Sequence, residues 1–343
     1  MAPTEQQTAS QRPTPELIFE TLNAYQRTAA LKSAIELDLF TAIGEGAVAI
    51  PALAKRCAAT ERGVRILCDY LTIIGLLKKQ GTQYALTPEA ATFLDRRSPA
   101  CMASMVRFMS MPETVDPFKN LTPIIRSGYS SVEERGAIPD DPVWVEFARS
   151  MMPMQVPIAE ALARILNADA GEPWKVLDIA AGHGMFGIAL AKHNPNAEIY
   201  ALDWANVLEV AKENANKAGV AARLHVLPGN AFEIELGTGY DIVLLTNFLQ
   251  LFDEETNERL LRKLHAALAP GGKVVTVGFI ANEDRISPPR AAAFSIIMLG
   301  TTRGGDAYTS SEYDRMFQNA GFSRNEIQRL PMGLPQSVII SRK

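Results

Sequence analysis

The sequence predicts a two-part α/β protein: a mostly helical N-terminal half with a winged-helix outline, followed by an open, mostly parallel sheet with helices on both faces. Three observations carry this expectation. From Trp174 onward, short apolar runs alternate with amphipathic stretches; a glycine-rich turn follows the first of those runs; and residues 14–165 show helical spacing broken by one short hairpin pattern. The 343 residues are enough for about two domains. With 47% hydrophobic and 21% charged residues, both can bury a core, which excludes a disordered or low-complexity chain.

The elements follow in order. MAPTEQQTASQRP at residues 1–13 is a polar lead-in without the apolar stretch of a signal peptide. Thr14-Pro15-Glu16 supplies a helix cap, a first-turn proline and a first-turn acid, and Leu17, Leu22, Tyr25, Ala29 and Leu31 follow at roughly helical spacing. Thr60-Glu61 opens another helix with Val64, Leu67, Cys68, Leu71 and Ile74 on one face. Residues 75–79 and 83–87 then read as two strands around Gln80-Gly81. Helix, helix, hairpin is the outline of a winged helix, assigned here to residues 14–105. Residues 106–166 form a helical bridge, with the methionine-rich helix 142–166 placed to line a substrate pocket. Residues 167–343 hold the sheet, with strands expected at Lys175–Ala180, Glu198–Asp203, Arg223–Leu227, Asp241–Thr246, Lys273–Phe279 and Ser337–Ile340, and helices at Val207–Ala218 and Glu254–Leu268.

Charge limits the partners. Lys and Arg number 34 against 38 Asp and Glu, a formal net charge of −4, with pI about 5.7. Residues 1–100 hold 11 basic and 10 acidic side chains, too little positive charge for the phosphate contacts that dominate DNA binding. The winged helix is therefore expected to serve dimerisation rather than nucleic acid, with Tyr25 and Ala29–Leu31 as contacts. Three cysteines (Cys57, Cys68, Cys101) without a CxxC pair fit a reduced, cytoplasmic protein. His183, His193, His225 and His265 form no metal-binding motif. No apolar run reaches the roughly 18 residues that suggest a membrane span.

The glycine turn holds the main chemical clue. Gly182, Gly184 and Gly187 satisfy G-x-G-x-x-G, and Asp203 follows at the end of the next strand, a pattern shared with dinucleotide sites. Asp178, however, places a carboxylate where a pyrophosphate would be repelled and a cationic ligand attracted. S-Adenosylmethionine (SAM) has an ammonium, a sulfonium and a ribose diol, and no phosphate. Asp203 suits the diol, because one carboxylate accepts from two hydroxyls.

The segment Asp178–Gly184, D-x-A-x-G-x-G, resembles motif I of SAM-dependent methyltransferases, with Ala180 in place of the usual first glycine. Further matches are Leu202-Asp203, Gly229-Asn230-Ala231-Phe232, Tyr240–Leu244, Leu268-Ala269-Pro270-Gly271-Gly272-Lys273 and Asn319-Ala320-Gly321-Phe322 in a last hairpin. Together with the winged-helix half, the chain is similar to the plant and bacterial small-molecule O-methyltransferases that dimerise through their N-terminal domains. That resemblance implies a Rossmann-like SAM-methyltransferase domain, a homodimer and a small, aromatic acceptor. It implies that Asp178, Gly182 and Gly184 cradle the methionine and ribose portion, and that Asp203 takes the ribose hydroxyls with Trp204 against the adenosine. Asn230, Ala231 and Phe232 would border adenine, and Thr246 and Asn247 would close the methionine end. Asp241 is expected only to cap a strand, and His183 to face solvent or the loop.

The resemblance breaks at the base. In the family, a His after the fourth strand deprotonates the acceptor; here the segment reads Asn247-Phe248-Leu249-Gln250-Leu251-Phe252-Asp253, with Gln250 at that place. An amide cannot act as a general base. Gly278 stands where the acid orienting that His commonly falls, and Ala307 where a second acid often appears, with Asp306 beside it. Asp306 and Tyr308 are the substitute bases nearest in sequence. Two enzymatic readings follow: methyl transfer by positioning and desolvation to an already nucleophilic acceptor, or non-methylating chemistry on the same fold. A third is a ligand-binding or regulatory relic. The acceptor wall is expected from Phe147, Met151 and Met154, from Gln250 as an orienting group, and from Phe294, Ile297 and Met298.

Overall fold

The computed structural model describes residues 13–130, 138–330 and 334–343. The polar lead-in thus lies, Pro13 excepted, outside the described residues. The chain divides into two compact units, the first ending at Ala103 and the second beginning at Ser104.

The first unit contains helices α1 (Glu16–Leu22), α2 (Ala24–Glu36), α3 (Leu39–Gly44), α4 (Ile50–Arg56) and α5 (Glu61–Ile73), strands β1 (Leu77–Gln80) and β2 (Gln83–Leu86), and α6 (Pro88–Phe93). The expected cap at Thr60 is present, accepting from Gly63 N. At the other predicted start, Pro15 rather than Thr14 takes the cap position, and a break at Asn23 separates α1 from α2. β1 and β2 pair antiparallel from Leu77↔Leu86 to Gln80↔Gln83, and a bridge from Ala49 to Gln83 completes the wing. The core is Leu39, Phe40, Leu53, Val64, Cys68, Leu71 and Tyr84. The predicted apolar stripe of α1 and α2 is not part of it. Leu17, Ile18, Phe19, Leu22 and Tyr25 are all exposed, and α1 buries no residue.

The second unit opens with three short helices, α7 (Met105–Met109), α8 (Pro112–Lys119) and α9 (Leu121–Ser127), and the long α10 (Pro142–Ile165), capped by Asp141. Alternation then begins: β3 (Lys175–Ile179), α11 (Met185–His193), β4 (Glu198–Asp203), α12 (Ala205–Ala218), β5 (Leu224–Pro228), β6 (Tyr240–Thr246), α13 (Glu254–Ala267) and β7 (Leu268–Gly278). Next come α14 (Pro289–Ala292), α15 (Phe294–Thr301), α16 (Ser310–Asn319), β8 (Arg324–Arg329) and β9 (Ser337–Arg342).

The sheet has seven strands in the order β5-β4-β3-β6-β7-β9-β8. The first five of these run parallel, and β9 lies antiparallel between β7 and β8. One face packs Val176, Ile199, Leu244 and Val275 against Ile158 and Leu162 of α10 and Ile188 of α11. The other packs Leu177, Ile179, Val243 and Leu245 against Leu260 and Leu264 of α13 and Phe317 of α16. Cover on both faces explains why these strands read as continuous apolar runs. Strand order reverses at β3, with β4 and β6 on its two sides, so a crevice opens beyond the carboxyl ends of these strands.

Candidate active site at the carboxyl edge of the sheet

The turn after β3 is shaped by residues in the left-handed region: Ala180 at φ +52°, Gly182 at +57° and Gly184 at +74°. Gly184 caps α11, and a Cβ there would lie 2.9 Å from Ala211 Cβ of α12. At Gly187 a Cβ would lie 2.5 Å from Ile199 Cγ2 of β4, so this glycine lets the helix sit close on the sheet. These are distinct jobs for the three glycines that the sequence pattern marks.

Two carboxylates flank the turn. Asp178 is 1% exposed; its Oδ2 accepts from Gly187 N at 3.2 Å, while Oδ1 is buried without a partner. Burial pushes its carboxyl up to about 7, opposed by the Gly187 hydrogen bond and assisted by the charge of Asp203. Asp203, at the end of β4, accepts from Gly182 N at 2.8 Å and from Trp204 N at 2.7 Å. Burial raises it to about 6 against those two bonds. A buried carboxylate oxygen with no donor is costly unless a cation or donor completes it.

The remaining residues expected at the cofactor end lie on the same edge, in different roles. Trp204 packs with Ala148, Val207 and Val210. Asn230 closes its own turn, Oδ1 accepting from Phe232 N at 3.0 Å and Nδ2 donating to Glu233 at 3.1 Å. Ala231 is buried, with its carbonyl accepting from Lys263 Nζ at 2.9 Å. Phe232 sits 5.1 Å from Phe252 and 6.3 Å from Phe248, an aromatic group the sequence does not announce. Thr246 is buried at the end of β6.

Three expectations need correction. Asn247, at φ +55°, commits its side chain to the protein: Nδ2 donates to Gln155 of α10 at 3.4 Å, and Oδ1 accepts from Gln336 at 3.0 Å. Its amide ties α10 to the residue just before β9. His183 takes the second of its two expected placements, facing the loop: it is buried, with Nδ1 accepting from Met185 N at 3.1 Å, and burial lowers its pKa to about 4. Asp306 is bound by Arg285 at 3.2 Å and accepts from Ala307 N at 2.8 Å, so it is held as a counter-ion rather than left open as a base. Tyr308, the other substitute base, donates its hydroxyl to Phe252 O at 2.5 Å, and burial raises its pKa.

The end expected to take the acceptor centres on Gln250, which lies in a 3₁₀ turn and is 4% exposed. Its Oε1 accepts from Phe279 N at 3.4 Å. The sequence pairs Gln250 with Gly278, and the fold joins them: a Cβ at Gly278 would lie 3.4 Å from Gln250 Oε1 and 3.5 Å from Tyr313 Oη. Asn257, fully buried, donates to Leu249 O at 2.8 Å and Phe252 O at 3.2 Å and so pins the turn on both sides. Phe294 stacks face to face on Phe279, with centroids 4.0 Å apart and planes at 8°. Met151 and Met298 are buried, and Met154 is half-buried. Phe147 packs edge-on against Phe108 and Trp144. Ile297 is exposed. Phe279, Asn257 and Gln155 were missed in the sequence. For Gln155 a signal existed, an uncharged polar residue in the apolar stripe of α10.

Residues 142–323 match the O-methyltransferase domain family, and residues 19–96 match the O-methyltransferase dimerisation domain. The chain belongs to the O-methyltransferase family. It is thus an enzyme of the methyltransferase class. A solved structure from Nostoc punctiforme PCC 73102, provisionally assigned as an O-methyltransferase, is 51% identical, with TM-score 0.93 over 97% of this chain and 100% of that one. The tetracenomycin polyketide synthesis 8-O-methyl transferase of Streptomyces glaucescens is 26% identical over 95% of this chain and 96% of its own. Human N-acetylserotonin methyltransferase, solved in complex with SAM, shares the fold at 20% identity and TM-score 0.83, over 98% of this chain and 99% of that one. Among the described residues, no helix is long and apolar enough to cross a membrane and no acidic, His or Cys cluster could hold a metal.

Proposed function

We propose that this enzyme uses SAM to methylate a small aromatic acceptor, without a histidine base. The observation that carries the cofactor assignment is the pair of carboxylates around the glycine turn, above all the buried, unpartnered Oδ1 of Asp178. A cationic, phosphate-free ligand completes that oxygen, whereas a pyrophosphate would be repelled by it. SAM supplies an activated methyl group on a sulfonium, an excellent leaving group. This chain's residues hold the reactants. Asp178 and the glycine turn take the methionine and ribose portion, Asp203 keeps lone pairs for the ribose hydroxyls, and Trp204, Asn230, Ala231 and Phe232 border the adenosine. Thr246 lies at the methionine end. Phe294, Met151, Met154 and Met298 contribute apolar wall, and Gln250 orients the acceptor.

The family match to a dimerisation domain and the exposed Leu17, Ile18, Phe19, Leu22 and Tyr25 support a homodimer built on α1 and α2. Free Cys57, Cys68 and Cys101 support a reducing, cytoplasmic setting.

Calorimetric titration with SAM tests the cofactor assignment. Asp203→Ala should weaken binding by at least about tenfold, as expected for loss of hydrogen bonds to a charged group. Because Asp203 also accepts from Gly182 N and Trp204 N, the variant loses support for the turn as well as ligand contacts. Unchanged affinity would refute the placement.

A further inference from the structure

The geometry around Gln250 points to the acceptor's class: we infer that the enzyme takes an oxygen acid that arrives already deprotonated, and that Gln250 holds its oxyanion through Nε2. This rests on the methyltransferase reading above and goes further by naming the reacting atom and its protonation state.

The orientation of the amide is decided by its neighbour. Phe279 N follows the last residue of β7 and donates to Gln250 Oε1, so the oxygen must face that N–H. The other branch is then the NH₂ group, and the bond from Phe279 N is the one hydrogen bond of the Gln250 side chain among the described residues. A nearly buried group that can only donate selects an acceptor atom with lone pairs and charge. It mismatches an ammonium or a neutral amine, whose own N–H groups would face it.

Among the described residues, no hydrogen bond joins the Gln250 side chain to an ionisable group. Gly278 has no side chain, and Gly305 lies against the Gln250 backbone, where a Cβ would be 2.2 Å from its carbonyl oxygen. Tyr313 is buried, and burial raises its phenol further from ionisation. Tyr308 and Asp306 are committed to Phe252 O and Arg285. Asp253 accepts from Thr256 N as the cap of α13. The stacked Phe279 and Phe294, the first of which gives its backbone N–H to the amide, offer a flat apolar surface suited to a planar conjugated anion, such as the enolate of a hydroxyquinone or a phenolate bearing electron-withdrawing groups.

The step balances without a proton. The acceptor oxyanion forms an O–CH₃ bond as the S–CH₃ bond breaks. The bonding pair stays on sulfur, and a cation and an anion become a methyl ether and a neutral thioether. Desolvation of the two opposite charges favours this transfer, and a proton left on the acceptor would stop it.

The test uses the full chain loaded with S-adenosylhomocysteine and a chromophoric phenol that ionises near neutrality. Visible absorbance should show the bound phenol ionising at least one pH unit lower than the free phenol, and Gln250→Leu should abolish that shift. A bound phenol that ionises at its free value or higher, or no binding of any phenolate to the loaded protein, overturns the inference even if methyl transfer occurs. With SAM, the wild type should methylate acidic phenols at least about a hundredfold faster than an unactivated phenol of pKa about 10, the scale of a missing general base. The double variant Gln250→His with Gly278→Asp, whose Cβ has room at 3.4 Å, should raise the unactivated phenol by a similar factor. Equal wild-type rates on both phenols would also overturn it. Failure of the methyltransferase reading itself looks different: SAM would not bind, or its methyl group would reach no acceptor.

Discussion

The two ends of the crevice are built from opposite materials. At β3 and β4 the chain places a buried and a half-buried carboxylate around a strained glycine turn and leaves one oxygen unsatisfied. At β6 and β7 it places a neutral amide beside a glycine, backed by two stacked aromatic rings. On the function proposed above, the first end stores electrostatic free energy that a cationic ligand releases; the second presents a neutral amide. On that same proposed function, charge at this edge serves cofactor binding, and the acceptor brings its own. Perturbing each end separately should accordingly alter different observables.

The largest effect should come from the cofactor end's backbone. Gly184→Ala must place a Cβ 2.9 Å from Ala211 Cβ at φ +74°, and neither the helix nor Ala211 has a flexible end to yield. Left-handed strain of about 1–2 kcal/mol plus overpacking of about 1–3 kcal/mol should destabilise the second unit and abolish measurable SAM binding. Gly182→Ala, whose Cβ would meet nothing closer than Ala180 O at 3.8 Å, should lose only the strain. Thermal unfolding of the two variants side by side checks the ranking. An equal loss would show that α11 and α12 tolerate separation.

A smaller effect, but one that separates the two ends cleanly, is pH. Burial holds Asp178 at about 7 and Asp203 at about 6, above the usual carboxylate value. Both bind protons more tightly folded than unfolded, so the cofactor-free protein loses stability as pH rises from about 4 to 7 and stays level above that. A cationic ligand needs both ionised. SAM affinity should therefore rise through pH 5 to 7, by about tenfold per unit for each carboxylate still protonated, and level off by pH 8. Calorimetry across that range reads it directly. A flat profile would mean neither carboxylate faces the ligand.

How much of this was legible in the sequence depends on what fixed each feature. The buried strands β3, β4, β6 and β9 read correctly, within a few residues at their ends, and β7 did over its buried second half, because two covered faces demand continuous apolar runs; β5 at the sheet edge also read correctly although none of its residues is buried. Strand β8, Arg-Asn-Glu-Ile-Gln-Arg, did not, because this edge strand buries none of its residues, Ile327 included, and has no apolar signature. The motif glycines were legible because their turn is local. The role of Asn247 was not: its partners Gln155 and Gln336 lie 92 and 89 residues away, and only the folded sheet brings the three amides together. The same limit applies to Asp306, whose motif position was visible but whose ion pair with Arg285 was not.

The smallest expected effect lies at Ala180, where the family's usual glycine is absent. An alanine at φ +52° carries about 1–2 kcal/mol of left-handed strain. Replacing it by glycine relieves that strain but costs about 0.5–1 kcal/mol of backbone entropy. It also removes a methyl group that packs on the core layer of Leu177 and Leu245, half of a buried carbon's contribution of about 0.8 kcal/mol. These nearly cancel, so Ala180→Gly should shift stability by no more than about 0.5 kcal/mol, a melting change within about 2 °C. SAM affinity should be unchanged, since the turn keeps its shape. A loss above about 1 kcal/mol would mean that the methyl contact outweighs the strain, and that this family position selects for packing as readily as for backbone freedom.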